Sequence, residues 1–314
     1  MKVWFYNFQT EAHRKWQRGF ELVRCLEAEG IECTLHLDST CDVALCGTFW
    51  AAEAFDHIVR REQEFRYERE QPRIKVCHIC WDLYRANVSG KREGMCDTEK
   101  MAWARYVCNL ATATDLIIAP SKSAKIRMHG THSHGYNLLN SKILVVKSAC
   151  DPWYKNWPID RVGDGGYVVD VCRKFGDVND HAVKEECEKL KIPCIELDQK
   201  YSWNEFQIMI AQSRLLVCAY QEASTGGLAL LEGYALGKPV LLSDAPANGG
   251  KDYFGNRAAY FRWNRPMDLA RCLEDLFHNS PSLNADECRS WVSSNYSDES
   301  MASQLAIVMR EGLA

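Results

Sequence analysis

Long apolar runs are missing from this 314-residue chain, in which no eighteen consecutive residues are apolar. A membrane-spanning helix needs about twenty such residues, so the sequence predicts no membrane span. The chain also lacks a strong excess of one charge, since its formal net charge is −4. This balance excludes the global basic field that attracts nucleic acids or anionic membranes and leaves room only for local basic patches.

A secretory signal is not indicated either, because residues 1–7 have the pattern of a strand. We therefore expect a soluble, cytoplasmic protein. The fifteen cysteines are many, but several lie inside apolar runs, where a free cysteine behaves as a small hydrophobic residue. These are Cys46, Cys77, Cys172, Cys194 and Cys218. Their placement favours reduced thiols over a disulfide scaffold.

The spacing of cysteine and histidine residues gives little support for a metal site. Cys77 and Cys80 have CxxC spacing, but they lie in a predicted strand, where residues three apart point to opposite faces. His129, His132 and His134 lie in a loop that contains glycine, and nothing supplies a fourth ligand at zinc-like spacing. We therefore predict no metal site.

Predicted strands and helices alternate along two stretches of the chain, residues 1–150 and 167–299. Residues 151–166 lie between them, are rich in proline, glycine and aromatic residues and have no period, which is typical of a linker. Strands that alternate with helices form parallel, doubly wound sheets. The sequence thus predicts an α/β protein of two domains joined by this linker.

A small-residue turn between a strand and a helix is the most informative feature of the sequence. The apolar run 215–220 predicts a buried strand before it. Ser224 and Thr225 can cap the helix that comes next. Gly226 and Gly227 allow the backbone to approach a ligand closely, with free amides and the positive helix end facing it. We therefore predict a site for a phosphate or a sugar oxygen here.

The predicted helix carries one carboxylate, Glu232, in its second turn, where it can bind hydroxyl groups. The helix ends at Gly237, and residues 239–243 form the next strand. Residues 230–240 read Leu-Leu-Glu-Gly-Tyr-Ala-Leu-Gly-Lys-Pro-Val. With the strand and loop before it, this segment resembles the carboxy-terminal signature of retaining GT-B glycosyltransferases of the sugar-nucleotide-dependent glycosyltransferase family 4 type.

The resemblance implies two Rossmann-like doubly wound domains that face a cleft, the first on the acceptor side and the second binding the nucleotide sugar. It also implies a last helix, within residues 300–314, that crosses back to the first domain. The expected activity is hexosyltransferase-like: a sugar moves from a nucleoside diphosphate sugar to an acceptor hydroxyl with retention and without an essential metal. No cofactor is expected besides the nucleotide sugar as co-substrate.

The same resemblance implies a set of donor-binding residues. In the family an acid opens the loop, and a second acid, similar in place to Glu232, comes eight residues later and binds the donor ribose. Counting back from Glu232 reaches Ser224, and the nearest acid is Glu222. Either Glu222 substitutes through a longer loop, or Ser224, Thr225 and the loop amides of Gly226 and Gly227 contact the donor sugar.

Cations for the donor diphosphate are expected at Arg173 and Lys174, which come directly after the first strand of the second half. Open α/β sheets bind ligands at this end of a strand. Family members similarly place an arginine and a lysine against the diphosphate, and a guanidinium can grip phosphate oxygens bidentately. A solvated helix start is the other interpretation of this pair. A second glycine loop, residues 248–252, faces the same end.

The acceptor side resembles the family less. Residues 115–123 and 142–151 are similar in order to the end of the family's first domain, but its amino-terminal glycine-rich loop is absent. Residues 78–84 resemble a segment that often has His-Asp beside the acceptor, so Asp82 is the candidate that positions the acceptor hydroxyl. His13 and His78 are weaker candidates, interpreted as a surface and a core histidine.

Two alternatives remain open from the sequence. The acceptor is a glycan, a small molecule or a nucleic acid, and in the last case the enzyme would modify a base. Basic residues at 60–61, 66–73 and 122–127 could follow a phosphate backbone, although acids interrupt them. Alternatively, the missing acid at Ser224 indicates a non-catalytic module that binds nucleotide sugars.

Overall fold

The computed structural model describes residues 1–6, 17–46, 52–79, 114–129, 142–171, 182–197, 201–219, 227–245, 249–280 and 282–313. These residues form two compact units. The first holds the described residues up to Lys147 and those from Asp298 onward, and the second holds those from Ser148 to Ser297. Among the helices described, none is both long and apolar enough to cross a membrane. Every cysteine in these ranges is a free thiol.

The first unit is built on a parallel sheet whose described strands have the order β2-β1-β3-β4-β5-β6. The strands are β1 (Lys2–Tyr6), β2 (Glu32–Thr34), β3 (Val43–Cys46), β4 (Lys75–Ile79), β5 (Leu116–Ala119) and β6 (Lys142–Val145). The described helices up to this point are α1 (Gln17–Ala28), α2 (Ala52–Glu68) and α3 (Lys122–His129). All residues of β3 and β5 are buried, as expected when helices cover both faces of a parallel sheet.

The second unit has the same kind of sheet, with the strand order β11-β10-β9-β7-β8 and parallel pairing throughout. Its strands are β7 (Val168–Asp170), β8 (Cys194–Glu196), β9 (Leu215–Cys218), β10 (Val240–Ser243) and β11 (Ala259–Phe261). Its described helices are α4 (Ala182–Lys189), α5 (Trp203–Gln212), α6 (Leu228–Ala235), α7 (Gly250–Phe254), α8 (Pro266–Asn279) and α9 (Ala285–Tyr296). The predicted α/β class with two doubly wound sheets is confirmed.

The last helix, α10 (Asp298–Gly312), belongs to the first unit, where it packs against α1. The Arg310 guanidinium donates to the carbonyl oxygen of Glu29 at the end of α1. Lys142 Nζ on β6 donates to the carbonyl oxygen of Glu311 at 3.0 Å. Because cations bind exposed carbonyl groups at helix ends, these contacts satisfy acceptors that the helices leave unpaired. The carboxy-terminal segment thus completes the layer of helices on this sheet.

Helix α6 packs unusually close to the sheet of the second unit. Residues 230–235 are all buried, and a Cβ atom built on Gly233 would lie 2.1 Å from Leu216 Cδ1 of β9. Ile210 of α5 would lie 3.1 Å from the same Cβ. Gly233 is therefore required by packing, since the helix could not approach β9 with a larger residue at this place.

We expect Gly233→Ala to lower the free energy of unfolding by about 1–3 kcal/mol through overpacking. In an open helix the same change raises stability by about 0.5–1 kcal/mol, so the sign of the effect separates close packing from helix propensity. Urea unfolding measures it. Leu216→Val removes the clashing carbon, so the double variant should lose less stability than the two single changes added together. A more stable Gly233→Ala protein would contradict the close approach.

Candidate functional site

The order of strands in the second unit marks one place on its sheet. Strand β7 lies between β8 and β9, so the direction in which the chain adds strands reverses at the β7–β9 boundary. In open α/β sheets, ligands bind outside the carboxyl ends of the strands at such a switch point. Here those ends are Asp170 of β7 and Cys218 of β9. The loops predicted to bind the donor come directly after them in sequence.

Most of the predicted site residues lie outside the described ranges and stay predictions. These are Asp82, Arg173, Lys174, Glu222, Ser224, Thr225 and Gly226, together with His13. Gly227 and Glu232 are described. The structure therefore places the acid of the signature and the last residue of its loop.

Gly227 is the amino-terminal cap residue of α6 and has a left-handed backbone, with φ 64° and ψ 78°. A side chain here would be strained, and its Cβ would also meet Leu230 Cδ1 at 2.7 Å. Helix α6 begins at Leu228, so its cap position is Gly227. Ser224 and Thr225, the expected capping residues, lie outside the described residues.

The Glu232 carboxylate is buried, with 4% of the residue exposed. Both of its oxygens accept hydrogen bonds from the segment that joins the two sheets in sequence. The backbone N–H of Asp151 donates to Oε1 at 3.1 Å, and the indole Nε1–H of Trp153 donates to Oε2 at 2.8 Å. Charge-assisted bonds of this kind offset the cost of taking a carboxylate out of water.

The segment that provides these donors is itself ordered. Residues Pro152–Asn156 form a short 3₁₀ helix, capped by Asp151, whose Oδ1 accepts from the N–H of Trp153 at 3.3 Å. Tyr154 is buried, and its hydroxyl lies 3.4 Å from Ser293 Oγ on α9. The Trp153 ring meets the Trp157 ring edge to face, with centroids 5.3 Å apart. The indole that faces Glu232 is therefore held from several sides.

Lys238 is a second buried charge from the signature segment, which sequence reasoning did not select. Its side chain is 6% exposed, and Nζ donates to the carbonyl oxygen of Gly163. Burial lowers the pKa of Lys238 to about 8, although the nearby Asp164 carboxylate acts to raise it. The sequence signal that could have identified this residue is the position of a lysine between an apolar helix and an apolar strand. Glu232 and Lys238 thus bind opposite ends of residues 151–163.

Another cation lies at the ligand edge of β10. The loop predicted at residues 248–252 contains the start of α7, and Gly249 and Gly250 are buried. Lys251 is exposed, and its Nζ donates to the carbonyl oxygen of Asp244, the residue after β10, at 3.0 Å. Lys251 is therefore the cation that this part of the structure places nearest the carboxyl end of β10.

In the first unit, His78 is a core histidine, as interpreted from the sequence. It lies on β4 with 1% exposure, and its Nε2 is 3.9 Å from Asp56 Oδ1. Phe55 meets the ring edge to face, with centroids 5.1 Å apart. Burial lowers the pKa of His78 to about 3, so its imidazole is neutral at pH 7.

The basic stretch at residues 66–73 is partly built into the fold. Arg66 is 4% exposed, and its Nε donates to Glu62 Oε1 at 2.7 Å. Its Nη2 donates to the carbonyl oxygen of Cys41, also at 2.7 Å. Arg69 covers the ring of Phe65, with 3.8 Å from its guanidinium carbon to the centroid. Arg66 is thus a structural cation and cannot contact a phosphate backbone, contrary to the nucleic-acid interpretation.

Glu21, Cys25 and Glu299 bring one potential metal-ligand atom each within 4.8 Å of one another, between α1 and α10. The Arg24 guanidinium already binds the Glu21 carboxylate. Glu299 is an exposed residue, and Cys25 Sγ lies 4.0 Å from Glu21 Oε1. We interpret this group as an ion-pair cluster at the helix contact.

No protein-family model matches the chain, and no curated protein sequence is similar to it at a significant level. Solved structures, in contrast, match over nearly its whole length. Sucrose-phosphate synthase from Thermosynechococcus elongatus has a TM-score of 0.60 at 10% identity, covering 99% of this chain and 98% of that one. HepE of Anabaena in complex with UDP and glucose has a TM-score of 0.64 at 12% identity, covering 99% and 100%.

The catalytic domain of starch synthase IV from Arabidopsis thaliana, bound to ADP and acarbose, gives a TM-score of 0.58 at 10% identity, covering 95% of this chain and 76% of that one. At sequence identities this low, structural similarity shows the fold alone. The chain therefore has the two-sheet α/β fold of the GT-B glycosyltransferases.

The depressed pKa of Lys238 makes stability depend on pH. Its folded pKa of about 8 lies below the ordinary value of 10.5, so the unfolded chain binds more protons between these values and stability rises with pH across this window. The loss of stability that results from burying the charged form of Lys238 is fully present below pH 8. We expect the stability of Lys238→Met relative to the parent to fall by about 2 kcal/mol from pH 7 to pH 10.

Urea unfolding at several pH values measures this difference. Lys155→Met is the control, because Lys155 is an exposed lysine of the linker whose Gly163 carbonyl Lys238 binds. Its difference from the parent should stay constant over the range. A constant difference for Lys238→Met as well would contradict the burial of a charged Nζ.

Proposed function

We propose that this protein is a glycosyltransferase that moves a sugar from a nucleoside diphosphate sugar to an acceptor hydroxyl, with retention and without an essential metal. One observation carries the proposal: the buried carboxylate of Glu232 lies on the helix after the switch-point strand β9, in a fold shared with enzymes solved with UDP-glucose and ADP. The fold supports the class of enzyme, and Glu232 provides a carboxylate that can accept hydrogen bonds from the hydroxyl groups of a nucleotide sugar.

In this proposal the donor lies at the carboxyl ends of β7 and β9. The left-handed Gly227 comes directly before α6, and the first amides of a helix carry its positive end and favour an anion. An ionised carboxylate only accepts hydrogen bonds, and the ribose hydroxyls of a nucleotide can donate them. We assign that contact to Glu232.

Sugar transfer breaks the bond between the anomeric carbon and the diphosphate oxygen, the acceptor oxygen bonds to the same carbon, and the proton of the acceptor hydroxyl passes to the departing diphosphate. The diphosphate leaves with the electron pair, so the charge that grows on it must be stabilised. Arg173, Lys174 and the amides at Gly226 and Gly227 would do this electrostatically. Asp82 would position the acceptor hydroxyl. Glu222, or Ser224 with Thr225, would contact the donor sugar.

We propose a glycan or a small molecule rather than a nucleic acid as the acceptor, and the burial of Arg66, one residue of the basic stretches, in an ion pair with Glu62 supports this choice. The non-catalytic module differs from the enzyme only in turnover. Slow hydrolysis of the donor, which a glycosyltransferase carries out without an acceptor, separates the two.

We expect one of UDP, GDP and ADP, with its sugar conjugates, to raise the melting temperature, since a ligand at about 100 times its Kd adds about 2.7 kcal/mol to the stability of the folded state. Glu232→Gln should weaken the binding of this nucleotide by about tenfold, because an NH₂ group replaces one of the two oxygens that accept hydrogen bonds. Titration calorimetry on the folded variant measures the loss. The control is Glu287→Gln, an exposed acid on α9, which should bind as the parent does. Unchanged affinity in Glu232→Gln would remove the ribose assignment.

With a reactive acceptor, we expect the product to keep the anomeric configuration of the donor, as NMR of the new glycosidic bond reports. We also expect EDTA to change the rate by less than about twofold, since the cations that stabilise the leaving diphosphate belong to the chain. An inverted product would overturn retention. A rate that EDTA abolishes and Mg²⁺ restores would overturn metal independence. Each result leaves the other statement standing.

A further inference from the structure

We propose that Trp153 is a positioning residue for donor recognition: its indole N–H fixes the carboxylate of Glu232 in the orientation that accepts the ribose hydroxyls. This inference rests on the proposed function. It assigns a role in specificity to a linker residue that lies 79 positions before the acid in sequence. Trp153 itself contacts Glu232 and is not assigned a contact with the donor.

The first step of the argument is the freedom of the acid. The last side-chain torsion of a glutamate, which turns the carboxylate plane, is broad and is not fixed by rotamer preference. A carboxylate that must accept from two neighbouring hydroxyls needs a defined plane. On Glu232 the plane is defined by two donors on different oxygens, the N–H of Asp151 at 3.1 Å and the Nε1–H of Trp153 at 2.8 Å.

The second step is that the indole is preorganised. The backbone N–H of Trp153 is bound by the side chain of Asp151, and its ring meets Trp157 edge to face. The next residue, Tyr154, is 1% exposed and anchors the turn. A hydrogen-bond donor whose own position is fixed by packing orients the group that accepts from it, without a further loss of conformational entropy.

The third step separates orientation from attachment. The backbone donor of Asp151 and the burial of Tyr154 hold the linker on α6 even when the indole N–H is removed. Trp153→Phe therefore keeps an aromatic ring and the path of the chain, but removes the indole donor from one oxygen of Glu232. We therefore expect this variant to lose affinity for the ribose hydroxyls and to bind phosphates as the parent does.

The test compares UDP, GDP and ADP, each against its 2′,3′-dideoxy form, by calorimetric titration of the parent and of Trp153→Phe. In the parent, the nucleotide that binds should bind more tightly than its dideoxy form. In Trp153→Phe we expect this ratio of dissociation constants to fall by about tenfold, which corresponds to about 1.4 kcal/mol. The affinity for inorganic diphosphate should stay as in the parent.

Trp291→Phe is the matched control. It removes the same volume from a tryptophan of α9 whose described aromatic ring contacts are with Tyr234, Phe254 and Tyr296. We expect it to keep the parent's ratio. A general loosening of the fold lowers the affinity for both nucleotide forms and leaves their ratio unchanged, so the ratio distinguishes positioning from stability.

The outcomes are distinct. A parent that binds none of the three nucleotides overturns the proposed function, whatever Trp153 does. A parent that discriminates ribose, with a Trp153→Phe variant that discriminates equally well, overturns the role of Trp153 and leaves the proposed function in place. An equal loss in Trp291→Phe also overturns the role of Trp153, because the effect would then result from ring volume.

Discussion

A negative charge enclosed on α6 is the constraint on which the second unit depends. Glu232 is 4% exposed, and a carboxylate without donors at such a place would shift its protonation or destabilise the fold. Linker residues 151 and 153 supply the hydrogen-bond donors that water would otherwise supply. The linker is thus bound to α6 through the carboxylate of Glu232. At the other end of the linker, the ammonium group of Lys238 donates to the carbonyl oxygen of Gly163. The path of the linker and the state of the acid therefore depend on each other.

The two units share one way of adding strands but differ in the groups they place near the switch point. In each, the first strand in sequence lies between the second and the third, so both sheets have a topological switch point. In the first unit, the strands at the switch point end at Tyr6 and Cys46, and burial raises the pKa of Tyr6, so its hydroxyl is neutral at pH 7. In the second unit, the helix after β9 carries a carboxylate. The proposed contact with the ribose hydroxyls of a nucleotide therefore lies in the second unit.

The sequence was most informative where a local rule also holds in the folded protein. Apolar runs became buried strands, as at residues 215–218, because a strand in a parallel sheet is covered on both faces. Local rules failed where packing overrode them. The cap position of α6 is Gly227, where the left-handed backbone favours glycine over a residue with a capping side chain. Likewise Arg66, in a stretch that suggested a basic surface, is buried because carbonyl groups around it need a donor.

By itself the sequence determined the α/β class, the alternation of strands and helices, and the presence of an acid in the second turn of a helix that begins after a glycine turn. Periodicity and turn chemistry are local, so they can be seen along the chain. Only the tertiary structure decided what that acid touches. Its partners lie 81 and 79 residues earlier, and Lys238 binds a carbonyl 75 residues away. Contacts over such separations arise from packing of the sheet, the helix and the linker, and no spacing of residue types encodes them.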